Sequence, residues 1–235
     1  MKSWTDHGYK VYSLNSSSEI QLLQPMYPFI TFIPDTQSLQ NEKMYGKPYI
    51  SIASFFDFGQ TLPDQVVALV NSDIQLKYNK AVLDNIEQTV SKGGFVIGKR
   101  YNYSRTYQDA RIEGAGVDFF VLNRDHLPLL PRTYQFVMGQ CWWDYWLPTV
   151  ISDLKIPTYK INHPLLYHKK HPLQWSQKLW HELADLFCKD TKYILGSKTP
   201  PQISHLIHDA FYNKAIPLNL PMRTIKPVVH VRPMR

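Results

Sequence analysis

Two aspartates, a pair of histidines and a group of arginines are the residues of this chain whose types and spacing could do chemistry. Asp73 stands in Asn71-Ser72-Asp73, directly after Val66-Val67-Ala68-Leu69-Val70. A run that is apolar throughout reads as a strand buried on both faces, and a carboxylate on the turn that closes it is held rigidly. Such a group can bind Mg²⁺ or Mn²⁺, which bridges substrate phosphates. The same three residues also make an ordinary Asx turn. Asp144 stands in Gly139-Gln140-Cys141-Trp142-Trp143-Asp144-Tyr145-Trp146. Apolar packing raises the pKa of a lone acid and suits it to general-base work, and the indoles of Trp142 and Trp143 could floor a site for a sugar or a base. The competing description is a core of tryptophans in which Asp144 caps a helix.

His168-Lys169-Lys170-His171 is an HxxH, with His163 just before it. Two imidazoles so spaced can share a metal on a turn or a helical face. No nearby Cys or Glu completes a zinc set, and HExxH and CxxC are absent, which argues against structural zinc. Taken alone the pattern is weak, and two chance histidines is the simpler explanation. One histidine completing a site begun by Asp73 stays open. Lys99, Arg100, Arg105 and Arg111 could grip a diphosphate through paired hydrogen bonds, or could line a solvated loop. The chain has no GxGxxG, no Walker loop and no GxSxG, which disfavours a dinucleotide fold, a P-loop enzyme and an α/β serine hydrolase.

Short β-rich runs must carry these residues. Val11–Leu14, Phe29–Ile33, Tyr49–Ala53, Val66–Val70, Phe95–Gly98 and Val117–Leu122 predict strands, because β-branched and aromatic residues cluster there between turn signals. Val82, Ile86 and Val90, with Leu83, predict an amphipathic helix that Gly93 and Gly94 end. Lys99 to Gly116 reads as a polar loop. A helix is expected from Trp142 to Val150, kinked or limited by Pro148. Two more follow, on Trp175, Leu179, Leu183 and Phe187 and on Ile203, Ile207 and Phe211. Alternating strands and helices predict an α/β sheet flanked by helices, whose ligands sit beyond the carboxyl ends of strands.

Length and composition bound the rest. With 235 residues, 44% apolar and 19% charged, the chain suits a single α/β domain over residues 1–216, and 217–235 read as a basic, proline-rich tail carrying Arg223, Lys226, Arg232 and Arg235. Two cysteines, Cys141 and Cys188, are too few for a disulfide scaffold, and free thiols suit the reducing cytoplasm. No apolar run approaches the ~20 residues of a membrane helix, and the first residues carry no apolar signal core. The sequons at Asn15 and Asn102 are then chance matches. A net charge of +7 with 15 Tyr, 11 Phe and 6 Trp favours an anionic partner with flat rings: nucleic acid, a nucleotide-activated substrate or a membrane surface. The cations are scattered, not striped, which argues against nucleic acid and leaves peripheral membrane contact open.

One family draws these pieces together. Ser3-Trp4, Gly8-Tyr9-Lys10-Val11-Tyr12-Ser13-Leu14-Asn15, Glu19-Ile20, Gly46-Lys47-Pro48-Tyr49-Ile50, Val70-Asn71-Ser72-Asp73-Ile74, Asp118-Phe119-Phe120-Val121, Trp143-Asp144-Tyr145-Trp146 and His168-Lys169-Lys170-His171 follow one another in that order. The series resembles a bacterial family of glycosyltransferase-like proteins with the GT-A fold, over roughly residues 3 to 175. The resemblance implies a GT-A-like, Rossmann-like mixed sheet with its first strand missing or replaced. It implies transfer from a nucleotide-diphospho-sugar donor to an acceptor hydroxyl on a glycan or other molecule, inverting and assisted by Mn²⁺ or Mg²⁺. Asp73 would then be the metal carboxylate, with Asn71 in place of the first acid of a D-x-D. Asp144 would be the base. His168 or His171 would supply a metal or diphosphate contact, and Asn71, Arg100, Trp142 and Trp143 would line the substrate site. The alternative is a non-catalytic relative that binds a sugar nucleotide, a glycan or a protein.

Overall fold

A computed structural model of the chain describes residues 2–112, 117–172, 176–191 and 198–218. In chain order the elements are α1 (Lys2–Thr5), β1 (Tyr12–Asn15), α2 (Ser17–Leu23), β2 (Thr31–Pro34), α3 (Ser38–Tyr45), α4 (Ile52–Thr61), β3 (Val66–Val70), β4 (Ile74–Leu76), α5 (Lys80–Ser91), β5 (Phe95–Gly98), β6 (Tyr101–Tyr103), β7 (Arg111–Ile112), β8 (Phe119–Asn123), α6 (Trp143–Asp153), β9 (Thr158–Lys160), β10 (Leu166–Lys169), α7 (Gln177–Thr191), α8 (Pro200–His208) and β11 (Ile216–Pro217). The class is mixed α/β. A five-stranded sheet runs β11-β9-β5-β8-β3, a four-stranded sheet runs β4-β10-β6-β7, and β1 pairs with β2. In the larger sheet β8 is antiparallel to both β5 and β3, while β5 and β9 are parallel.

Period-two alternation on the central strands divides the core. Phe120 and Leu122 of β8 and Phe95 and Ile97 of β5 face one cluster, filled by α4, α6, α7 and α8. Phe119 and Val121 of β8 and Val96 of β5 face the other, with Val82, Ile86 and Val90 of α5. Successive strand side chains point to opposite faces, so a strand apolar at every position must be covered twice. The two larger sheets meet at Gly98, where an added methyl carbon would lie 2.7 Å from Leu166 Cδ1.

Trp4 ties the N-terminus to this core. Its ring stacks on Phe119 with centroids 5.6 Å apart, and its Nε1 donates to the Ile74 carbonyl at 2.9 Å. Trp4→Phe keeps the stack and orphans that buried carbonyl, so a loss of about 1–3 kcal/mol is expected, read as a lower denaturant midpoint at unchanged slope.

Three sequence expectations need correction. Tyr49–Ala53 is not a strand. Only Ser51 forms a bridge, to Val137, and Ser51 then caps α4 by accepting from the Ser54 N–H at 3.3 Å. Ile52 and Phe56 recur on its buried face, a helical period that the short apolar run concealed. The Lys99–Gly116 stretch is not only loop, since β6 and β7 form within it and pair with each other. β3 is not buried on both faces: Ala68 is exposed, and the strand lies at the end of its sheet. Trp175 and residues 219–235 lie outside the described residues. Among the described residues no helix is long and apolar enough to cross a membrane.

Candidate active site

β3 delivers its carboxyl end to the site. Asn71 follows it, and its Nδ2 donates to Asp118 Oδ1 at 2.7 Å. Arg100, just past β5, donates from Nη1 to the same oxygen at 2.5 Å and from Nε to Asn102 Oδ1 at 3.0 Å. Asn102 lies in β6, in register with His168 of β10, and His168 also pairs with Ile74 of β4. That double register sets His168 beside Asp73, the residue preceding Ile74.

The hydrogen-bond roles in this chain can be assigned. Arginine only donates, so the Asn102 atom facing Arg100 is its oxygen. His168 Nδ1 approaches that same oxygen at 2.8 Å and must therefore carry a proton. His171 Nδ1 likewise donates to the Pro172 carbonyl at 2.8 Å. The Nε2 atoms of both rings point at Asp73 Oδ2, at 3.2 and 3.1 Å. In neutral rings those atoms are lone pairs, and two lone pairs cannot face a carboxylate oxygen without a positive charge between them. Protons supply that charge when the rings are cationic. A divalent metal ion could supply it otherwise, and the donor atoms all lie within 4.8 Å of one another. Outer hydrogen bonds that fix imidazole tautomers in this way are typical of metal-bound histidine. Two imidazoles and one carboxylate suit Mn²⁺ better than Mg²⁺, which prefers oxygen alone.

Charge follows geometry. Partial burial pushes the Asp73 carboxyl up, but the bonds from His168 and His171 and the nearby His168 charge outweigh it and bring it to about 2. The Pro172 and Asp73 bonds raise His171 above the ordinary imidazole value. Burial pushes Asp118 upward, and the Arg100 guanidinium opposes that. Asp118 Oδ2 and Asn71 Oδ1 are buried and have no hydrogen-bond partner among the described residues. Buried polar atoms are paired as a rule, and these two are exceptions among the described residues.

Asp144 is the second residue of α6. Protein crowds it although part of its surface stays open. Burial pushes its carboxyl up to about 7, with a further push from Asp118, against the Val117 N–H that donates to it and the Arg100 charge. Asp118 also feels Asp73, so it stands electrostatically between the two outer acids. Just before α6, Trp142 holds φ 76° and ψ −23°. For a bulky residue that left-handed conformation costs about 1–3 kcal/mol and persists only where packing over-determines it. Here Trp142 is fully buried against Trp180 and Phe187 and donates from Nε1 to the Trp180 carbonyl at 2.8 Å.

The expectation that Trp142 and Trp143 would offer a stacking floor is thereby corrected. Trp143 is 2% exposed, edge-on to Phe120, and neither indole shows an open face. Trp142 packs on Trp180 and Phe187 of α7, and Trp143 on Phe120 of β8. Of the four basic residues, Arg100 joins the network through its bonds to Asp118 and Asn102. Lys99 turns to the Tyr212 ring, 4.3 Å from its centroid; Arg105 and Arg111 are exposed. His163 sits apart, 3.1 Å from Asn79 Nδ2. Asp118 and Asn102 were not singled out from sequence. The signal for Asp118 was an acid at the mouth of an otherwise apolar strand; Asn102 carried none.

No protein-family model matches the chain, and a search of curated proteins returned no match.

Proposed function

We propose that this chain is a metal-dependent glycosyltransferase of GT-A type, moving a sugar from a nucleotide-diphospho-sugar donor to a glycan or other acceptor hydroxyl. The observation that carries this reading is the unbroken hydrogen-bonded path from Asp73, His168 and His171 through Asn102 and Arg100 to Asp118 and Asn71, with Asp144 in the field of the same arginine. The path starts at the carboxyl end of a strand, where open α/β sheets bind ligands. Asp73, His168 and His171 would hold the ion, which when bound neutralises charge growing on the leaving diphosphate. Arg100, braced by Asp118 and Asn102, keeps a fixed positive charge beside that diphosphate. Asp144 accepts the acceptor hydroxyl proton as the oxygen attacks the anomeric carbon. With one carboxylate acting as base and none as nucleophile, displacement is direct and inverts the anomeric centre. The reaction belongs in the cytoplasm, where the buried, unbridged thiols of Cys141 and Cys188 stay reduced.

Binding to the folded state raises its melting point. A screen of UDP-, GDP-, CMP- and dTDP-sugars should give one nucleotide class that shifts Tm by roughly 5–10 °C at about a hundred times Kd, and only with Mn²⁺. No shift in any arm would remove the reading. A second reading, binding without turnover, is supported by a large groove that reaches Asn71 and Ser72 but is not lined by Asp73, Arg100 or Asp144. A shift with no released nucleotide in a coupled assay would select it.

A further inference from the structure

Backbone pairing leaves two strand edges open on one groove. The Asn71 N–H donates to the Asp118 carbonyl and the Arg124 N–H to the Gln65 carbonyl. Bonded residues alternate along an antiparallel ladder, so positions 65, 67, 69 and 71 bond to β8. Val66, Ala68 and Val70 therefore turn their N–H and C=O groups away from it. On β1, the Thr31 N–H donates to the Val11 carbonyl and the Asp35 N–H to that of Asn15. That parallel pairing uses positions 11, 13 and 15 and aims the backbone of Tyr12 and Leu14 outward. Among the described residues, β8 is the one strand partner of β3, and β2 that of β1.

Both strands line a groove of about 1010 Å³. The two layers of the core continue across it. Val67 of β3 packs into the layer of α4, and Val66 and Val70 into that of α5. Tyr12 of β1 meets Phe58 of α4 edge-on at 5.1 Å, and Val11 packs on the α5 side. Each wall is apolar, with Phe55 and Leu127 on one and Leu83 and Ile86 on the other. Lys10, just before β1, pairs with Asp64, just before β3, at 3.4 Å. The two strands thus begin at the same end of the groove.

The walls and the edges together select an occupant. An acyl chain would suit the walls and leave every one of those backbone groups dry. A glycan would suit the backbone groups and not the hydrocarbon. An extended peptide suits both, because its N–H and C=O groups alternate between two edges while its side chains alternate between two faces. Open strand edges are templates for such pairing. A strand enclosed on both faces is apolar at each position, and proline would remove a ladder donor. We propose that the groove takes up an extended segment of a partner polypeptide as a strand between β1 and β3. The segment is apolar at five successive positions, the length of β3, and free of proline. It joins the two-stranded and five-stranded sheets into one.

The probe is a fluorescein-labelled peptide of five valines with two lysines at each end, followed by anisotropy and by residue-resolved amide exchange on the full chain. No sugar nucleotide is present, so the outcome stands apart from glycosyl transfer. The peptide should bind saturably. In the complex the amides of Tyr12, Leu14, Val66, Ala68 and Val70 should exchange at least ~10-fold more slowly, as strand pairing protects them. Val67 and Leu69, already bonded to β8, should change little. Methylating alternate valine nitrogens deletes donors and keeps the side chains, and either alternate set should weaken binding at least ~10-fold. Ala68→Arg, at an exposed position lining the groove, should weaken it as much. Absent binding, binding indifferent to N-methylation, or no protection at those five amides would overturn the proposal. So would tighter binding of palmitate than of the peptide, which assigns the groove to an acyl chain. Protection of the same amides by self-association alone would give it to a second copy and overturn the proposal too.

Discussion

Asp144→Asn should lose activity and gain stability, with the gain growing as pH rises above about 4 and complete above about 7. As general base the carboxylate is expected to supply about 10²–10⁴ in rate, and the amide cannot take a proton. The stability sign follows from the raised pKa. A carboxyl near 4 in the unfolded chain reaches about 7 when folded. Between those values the folded state holds a proton that the unfolded state releases, so stability falls as pH rises and the loss is complete above about 7. The neutral amide escapes this penalty and still accepts from the Val117 N–H. At about 1.4 kcal/mol per pKa unit the penalty is roughly 4 kcal/mol at most, or several degrees of Tm for a chain of this length. Variant and wild type should melt together below about pH 4, begin to separate above it and reach their full difference by about pH 8. A pH-independent difference in Tm, or retained transfer activity, would refute the role.

Asp73→Asn should cost at least ~100-fold in Mn²⁺ affinity, since even outer-shell partners of metal ligands are worth 10–100-fold. The amide leaves His168 and His171 without the anion on which both rings converge. Titration followed by the Mn²⁺ paramagnetic resonance signal measures the loss directly. In the wild type, protons would compete with the proposed ion for the imidazole nitrogens, and His171 is raised by its Pro172 and Asp73 bonds. Affinity should therefore weaken as pH falls through and somewhat above the usual imidazole range. Equal affinity in the variant would place the ion elsewhere, or nowhere.

What could be read from the sequence was local. Val82, Ile86 and Val90 announced α5 because a helical stripe repeats within one element, and Phe95–Gly98 is β5 to the residue. Tyr49–Ala53 misled because a short apolar run fits either period until its cap is seen. The site divides the same way. Asp73 and Asp144 stood out by their neighbours in the chain. The Arg100–Asp118 pair bridges 18 positions and His168–Asp73 bridges 95, and only the register of β10 on β4 and β6 brings the latter together. Four bulky aromatics around Asp144 said that something would be packed there. They could not say which faces would be open, and burial of Trp142 and Trp143 settled that against stacking.

Asp118, placed between the two outer acids, makes them interdependent. Removing charge at position 73 or 144 alters the potential felt at the other through the same carboxylate, so a thermodynamic cycle on the two should not close additively. A charge change at either outer acid would therefore be read out at the other as a shifted pH response, through a residue that neither of them bonds.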